Sequence, residues 1–156
     1  MAKETENIDN ILELNTQRIT SDVIELEDIL NAFNKDGESG ALVFFIGCVR
    51  NNSANGSVKG MYYEAYVGMA EEKIKDIENF ARNKWNVNKI KIIHRIGELK
   101  IGDKSIAIIV SASHSKEAFD TCQFILSKIK NEVPIWKKEI LQNGSTKRIE
   151  GNLICS

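Results

Sequence analysis

Cysteine is scarce in this 156-residue chain and poorly spaced for metal binding: Cys48, Cys122 and Cys155 are an odd number with no short separation between any two. A disulfide framework is therefore excluded as the basis of stability, and free thiols in a reducing, cytoplasmic setting are expected. No apolar run approaches the ~20 residues of a membrane span, and the polar stretch from Met1 to Asn10 lacks the apolar core of a signal peptide. The Gly-x-Gly-x-x-Gly and phosphate-loop patterns are both missing, so ATP or NAD binding has no local support. No cluster of metal-ligating residues is visible, and neither a metal nor a resident cofactor is expected. A net charge of −1 and a pI near 6.2 argue against a nucleic-acid protein, which carries a strongly basic face. There is no internal repeat and no interdomain linker, and the length suits one domain that buries roughly 70% of the surface of its unfolded chain.

Proline is rarer still, and the only one, Pro134, sits between two lysines in the segment Ile129-Lys130-Asn131-Glu132-Val133-Pro134-Ile135-Trp136-Lys137-Lys138-Glu139. Proline biases Val133 out of helical geometry and predicts a helix end near Asn131. Lys130 then closes a helix and Lys137 follows a turn. Such a fold-back can direct two cations to one pocket, to hold a phosphate or move protons, or it can form a solvated basic edge. Charge is uneven along the chain. Residues 1–40 hold ten acidic against three basic side chains, whereas residues 128–148 hold six basic against two acidic ones. A local positive field of this kind attracts a small anion without making the whole surface adhesive.

The pattern is that of a mixed α and β domain. Residues 1–16 are a polar extension, a frayed helix or disordered. From Asp22, the positions Val23, Leu26, Leu30 and Phe33 follow helical spacing, and the helix is expected to stop at Lys35-Asp36-Gly37. Ala41 to Ile46 reads as a buried strand, Arg50 to Ser57 as a loop and Val58 to Tyr66 as a second strand. Met69 to Trp85 reads as an amphipathic helix with Ile74, Ile77, Ala81 and Trp85 on its core stripe. Lys89 to Ile96 and Ser105 to Ser111 read as strands joined through Gly97 and Gly102. Lys116 to Asn131 is the last helix, expected to bury Phe119, Cys122, Leu126 and Ile129. Ile135 to Leu141 and Lys147 to Ile154 are expected to pair around the Asn143-Gly144 turn.

Several motifs in order resemble the large, catalytic subunit of molybdopterin synthase. They are Gly40-Ala41 with Phe45-Ile46-Gly47-Cys48-Val49-Arg50; Tyr63-Glu64-Ala65-Tyr66 with Met69-Ala70; and His94-Arg95-Ile96-Gly97-Glu98-Leu99 with Gly102-Asp103. Ser111-Ala112-Ser113-His114 with Glu117-Ala118-Phe119, and then Lys130 to Glu139, complete the series, which spans roughly residues 18 to 145. The resemblance implies an α+β fold, a two-layer α/β hammerhead-like single domain over residues 17–156 that forms a homodimer. It also implies a heterotetramer with two copies of a small ubiquitin-like partner. The partner's C-terminal Gly-Gly carries a thiocarboxylate, whose sulfur passes to cyclic pyranopterin monophosphate; two transfers make the dithiolene of molybdopterin.

By the same resemblance, Lys130 has the catalytic role and Lys137 a supporting catalytic or binding role, whether as acid and base, as charge stabiliser or through a covalent adduct. The expected substrate pocket is Cys48, Val49 and Arg50, His114 with Ser115, and Lys130, Lys137, Lys138 and Glu139. Arg50 suits phosphate because its planar fork donates two hydrogen bonds at once. His114 lies between a strand and a helix, where it binds ligand or caps and packs; His94 and Arg95, inside a strand, read as structural support. Phe44, Phe45, Ile135 and Trp136 are core or partner surface.

Two positions depart from the family pattern, which commonly has a basic residue at Cys48 and arginine at Ser115. Lys116, Lys138 or a basic residue of the C-terminal segment is expected to compensate. Two further readings follow from these departures. One is a non-catalytic adaptor that binds a ubiquitin-like sulfur carrier; the other is a thiol enzyme using Cys48 and His114, against which Cys48 reads as an incidental cysteine.

Overall fold

The computed structural model describes residues 17–33 and 37–149. The expectations for residues 1–16, for Lys35 and Asp36 and for Cys155 lie outside them.

Four strands form the first sheet, in the order β1 (Ile19–Thr20), β5 (Lys89–Arg95), β7 (Lys104–Ala112) and β2 (Ala41–Cys48). β1 runs parallel to β5 and the other neighbours are antiparallel. β7 is one of the two inner strands, and its residues from Ser105 to Ala112 are all buried. A strand covered on both faces needs apolar side chains in succession, which Ile106 to Val110 supply. One face carries Ile106, Ile108, Val110 and Ala112 against the helices α2 (Val67–Lys84) and α3 (Ser115–Glu132). The other carries Ala107 and Ile109 against the short helix α1 (Leu26–Phe33). The architecture is thus α+β, a sheet backed by a helical layer, with α1 as a small cover on the far face.

The second sheet is built on β4 (Gly56–Ala65). β8 (Ile135–Leu141) lies on one side of it and β6 (Gly97–Lys100) pairs on the other. β3 (Asn52–Ser53) pairs with the start of β4, and β9 (Thr146–Arg148) pairs with β8. Val49, Met61 and Leu99 make a small core of its own, with Tyr63 and Ile149 packed on it.

Several expectations are corrected. The α1 face that packs is Ile29 and Phe33, with Ile24 just before the helix, whereas Val23 and Leu30 are 59% and 40% exposed. The helix begins only at Leu26, so Val23 is not on its surface at all. In α3 the buried stripe is Ala118, Cys122, Ile125 and Ile129, and Phe119, one residue round the helix from Ala118, is 63% exposed. In α2 the expected stripe of Ile74, Ile77 and Ala81 is buried, with Ala70 in addition, and Trp85 packs against it from just beyond the helix end. The loop expected over Arg50 to Ser57 contains β3 and a tight turn at Gly56, whose φ of 100° favours glycine. The link expected between Gly97 and Gly102 contains β6. Among the described residues no helix is long and apolar enough to cross a membrane, and no group of three or more histidine, cysteine or carboxylate side chains could hold a metal.

Candidate functional site

The end of α3 and the start of β8 place the two lysines. α3 ends at Glu132; Val133 turns extended at φ −86° and ψ 131°, its N–H donating to the Ile129 carbonyl at 3.2 Å. Pro134 has no N–H to continue the helix, and its carbonyl accepts from Tyr66 N–H at 3.1 Å, tying the turn to the start of α2. Lys130 therefore sits in the last helical turn and Lys137 in the following strand, as the lone proline implies. Lys130 is half-buried, with Nζ 5.8 Å from the centre of the Phe45 ring on β2. A cation over an aromatic face at this range is attracted by the ring quadrupole.

Side chains alternate along β8, and this separates the residues at its centre. Ile135, Lys137 and Glu139 face inward; Trp136 and Lys138 face outward. Lys138 Nζ contacts Glu64 Oε1 at 2.8 Å on that outer face. Lys137 lies directly across from Tyr63 of β4, and the Tyr63 ring meets His94 of β5 edge-on, with centroids 5.2 Å apart. His94 is buried and bonds the Arg95 carbonyl through Nδ1 at 2.9 Å. Burial pushes its pKa down to about 4, and the positive charge of Lys137 adds to the depression. Glu139 is 2% exposed; its Oε2 accepts from Asn55 Nδ2 at 2.9 Å, and Asn55 Oδ1 accepts from Lys147 Nζ at 2.7 Å. A strand residue, a turn residue and a β9 residue are thereby fastened together.

Cys48, Val49 and Arg50 leave β2 after a register irregularity between Gly47 and Cys48. Val49 is buried and pinned on both sides: its N–H donates to Asp103 O at 3.0 Å and its carbonyl accepts from Gly102 N–H at 2.7 Å. Asp103 is held in turn by Arg95 at 3.3 Å. Cys48 and Arg50 on either side are exposed. Arg50 thus projects from a fixed backbone. Among the described residues the buried thiol is Cys122, whose pKa burial pushes up to about 11.

His114 is the N-cap of α3, extended, exposed and without a side-chain cap bond, and Ser115 opens the helix. These two do not join the lysines within one chain. Fifteen residues of α3 separate Ser115 from Lys130, about 22 Å along the helix axis. Arg50 is also at the far end of the sheet from His114: Cys48 pairs with Lys104 at one end of β7, whereas Gly40 bonds Ala112 at the other, about 27 Å along the strand. The expected pocket therefore divides in two. Lys130, Lys137 and Arg50 belong to the end where β7 begins, where His94 pairs with Ile106; His114 and Ser115 belong to the opposite end. Of the cations expected to compensate at Cys48 and Ser115, Lys116 is paired with Asp120 at 2.5 Å, which raises its pKa, and Lys138 is paired with Glu64. Lys147 rests on a neutral amide and Arg148 lies 6.0 Å from the Trp136 ring. Tyr63 and Asn55 were not among the expected site residues, although Tyr63 opens one of the matching motifs, Tyr63-Glu64-Ala65-Tyr66; its place opposite Lys137 is set by the pairing of β4 with β8.

Taken together, a helix-backed sheet joined to a smaller second sheet, with two lysines flanking the proline turn between α3 and β8, defines an α+β protein. The chain belongs to the MoaE protein family, whose profile matches residues 19–132. It is 41% identical over 127 residues to the molybdopterin synthase catalytic subunit of Thermoplasma volcanium, covering 81% of this chain and 92% of that one. It is 40% identical over 107 residues to the subunit of the same name from Escherichia coli K12, covering 69% and 71%. The crystal structure of molybdopterin synthase from Staphylococcus aureus superposes with a TM-score of 0.79 at 35% identity, covering 86% of this chain and 97% of that one.

Proposed function

We propose that this chain is the catalytic subunit of a molybdopterin synthase, a cytoplasmic sulfurtransferase that moves sulfur from the C-terminal thiocarboxylate of a small ubiquitin-like partner to cyclic pyranopterin monophosphate. The observation that carries this reading, beside the family, is that Lys130 and Lys137 are half-buried at the same turn and neither has a carboxylate partner among the described residues. Uncompensated ammonium groups are suited to anionic substrates and to charge that develops during a reaction.

In this reading the partner's extended Gly-Gly tail enters beside the lysines. Its sulfur forms a bond to an oxygen-bearing carbon of the substrate as the carbon–oxygen bond there breaks and the oxygen leaves protonated; water then cleaves the acyl–sulfur bond, leaving sulfur on the substrate and a carboxylate on the partner. Lys130 moves the proton as the pterin ring opens, and Lys137 stabilises the negative charge. Arg50 grips the phosphate with two parallel N–H groups. His114 and Ser115, one helix length away, reach a site only by way of a second chain, and a homodimer with two small partners bound supplies one.

The test is single-turnover conversion of cyclic pyranopterin monophosphate by this chain with its thiocarboxylated partner, with Lys130→Ala alongside. Product from the parent and a loss of about a hundredfold or more in the variant is expected. No product from a parent that still binds the partner would replace the synthase reading with that of an adaptor.

A further inference from the structure

Lysine has a flexible four-carbon stem, so a strand position fixes where Lys137 starts but not where its ammonium group ends. What surrounds the stem is therefore informative. Tyr63 is its direct cross-strand neighbour, on the same face of the second sheet. The Tyr63 ring stands edge-on to His94, at 5.2 Å and 66°, and His94 belongs to the first sheet. The two rings thus bridge the sheets beside Lys137. His94 is 6% exposed, and its Nδ1 lies 2.9 Å from the Arg95 carbonyl, which can only accept. Nδ1 must carry the hydrogen, so the ring is fixed in one tautomer and one orientation.

We propose that His94, acting with Tyr63, is a positioning residue for Lys137: the two locked rings form an uncharged wall that directs the lysine stem toward the transfer site. The proposal rests on the reading of Lys137 as part of that site. An uncharged imidazole matters here, because an imidazolium would repel the ammonium group it is meant to aim.

The experiment uses the full chain with its thiocarboxylated partner. His94→Leu lowers the single-turnover rate at saturating substrate by about tenfold or more while substrate affinity changes less than about twofold. His94→Gln, neutral and able to donate to the Arg95 carbonyl, recovers most of the rate. In a Lys137→Ala background, His94→Leu has no further effect, because the residue it acts through is gone. An independent readout is the side-chain methylene signal of Lys137 in protein labelled with 13C-lysine, assigned by its loss in Lys137→Ala. That signal moves in both His94→Leu and Tyr63→Leu as ring-current shifts disappear.

Equal rate losses in the two backgrounds, or an unmoved Lys137 signal in a folded variant, overturn the proposal. Should Lys137→Ala transfer sulfur at the parental rate, the role of Lys137 fails while its signal still reports whether the rings position it. If His94→Leu does not fold, Tyr63→Leu carries the same rate and NMR measurements.

Discussion

At the scale of single residues, His94 couples the fold to acidity. Its pKa is about 4 in the folded chain, against 6.5 when exposed in the unfolded one. Between these values the unfolded chain takes up a proton that the folded chain refuses, so this contribution to stability is complete above about pH 6.5 and lost as pH falls toward about 4. The whole loss is about 3 kcal/mol. Other groups titrate in the same window, and a His94→Leu variant isolates this one. Urea unfolding at pH 7 and pH 4 is expected to show the stability gap between parent and variant shifting by about 3 kcal/mol in the variant's favour at the lower pH. A gap that stays constant with pH would mean that the imidazole is not buried uncharged.

At the scale of elements, close contacts decide what each strand tolerates. A Cβ on Gly60 of β4 would lie 2.6 Å from the Leu99 carbonyl oxygen of β6, backbone that cannot turn aside. Gly60→Ala is expected to cost about 1–3 kcal/mol by separating the two strands. Gly68, in the first turn of α2, has nothing within 4 Å of the same atom and no positive φ, so Gly68→Ala is expected to raise stability by about 0.5–1 kcal/mol. Thermal melts of the two variants, moving in opposite directions, check both. The same scale explains what was legible in sequence. The long helices and β7 were visible because their apolar spacing extends over many residues, and the break between α3 and β8 because Pro134 admits little else. β3 and β6 span two and four residues, too few to show a period, and their pairing is set by β4 rather than by their own composition. The motif around Lys137 gave its residues in a row, whereas strand geometry sends Lys138 to the opposite face. The resemblance likewise put His114 in one pocket with the lysines, whereas within the chain it lies one helix length away. Only the fold reveals that distance.

At the scale of the whole molecule, this separation determines how many chains make a site. Lys130 and His114 lie at opposite ends of α3, about 24 Å apart by its rise. If His114 contributes to transfer, a two-fold dimer must bring it from the second chain, since a two-fold axis can set one end of a helix against the other end of its mate. Complementation distinguishes shared from separate sites. Lys130→Ala and His114→Ala each remove activity from a pure dimer, provided that both residues serve the reaction. In a mixed dimer with sites shared across the interface, one of the two sites receives an intact Lys130 and an intact His114, and the other receives neither. Random pairing of equal amounts makes half of all dimers mixed, so refolding the two inactive chains together is expected to restore about one quarter of the parental single-turnover activity. If each chain carries its own complete site, no pairing of the two variants contains a functional one. Activity that stays at the level of the pure variants, with dimers shown to have exchanged, would confine the site to one chain. It would leave His114 to cap α3 alone.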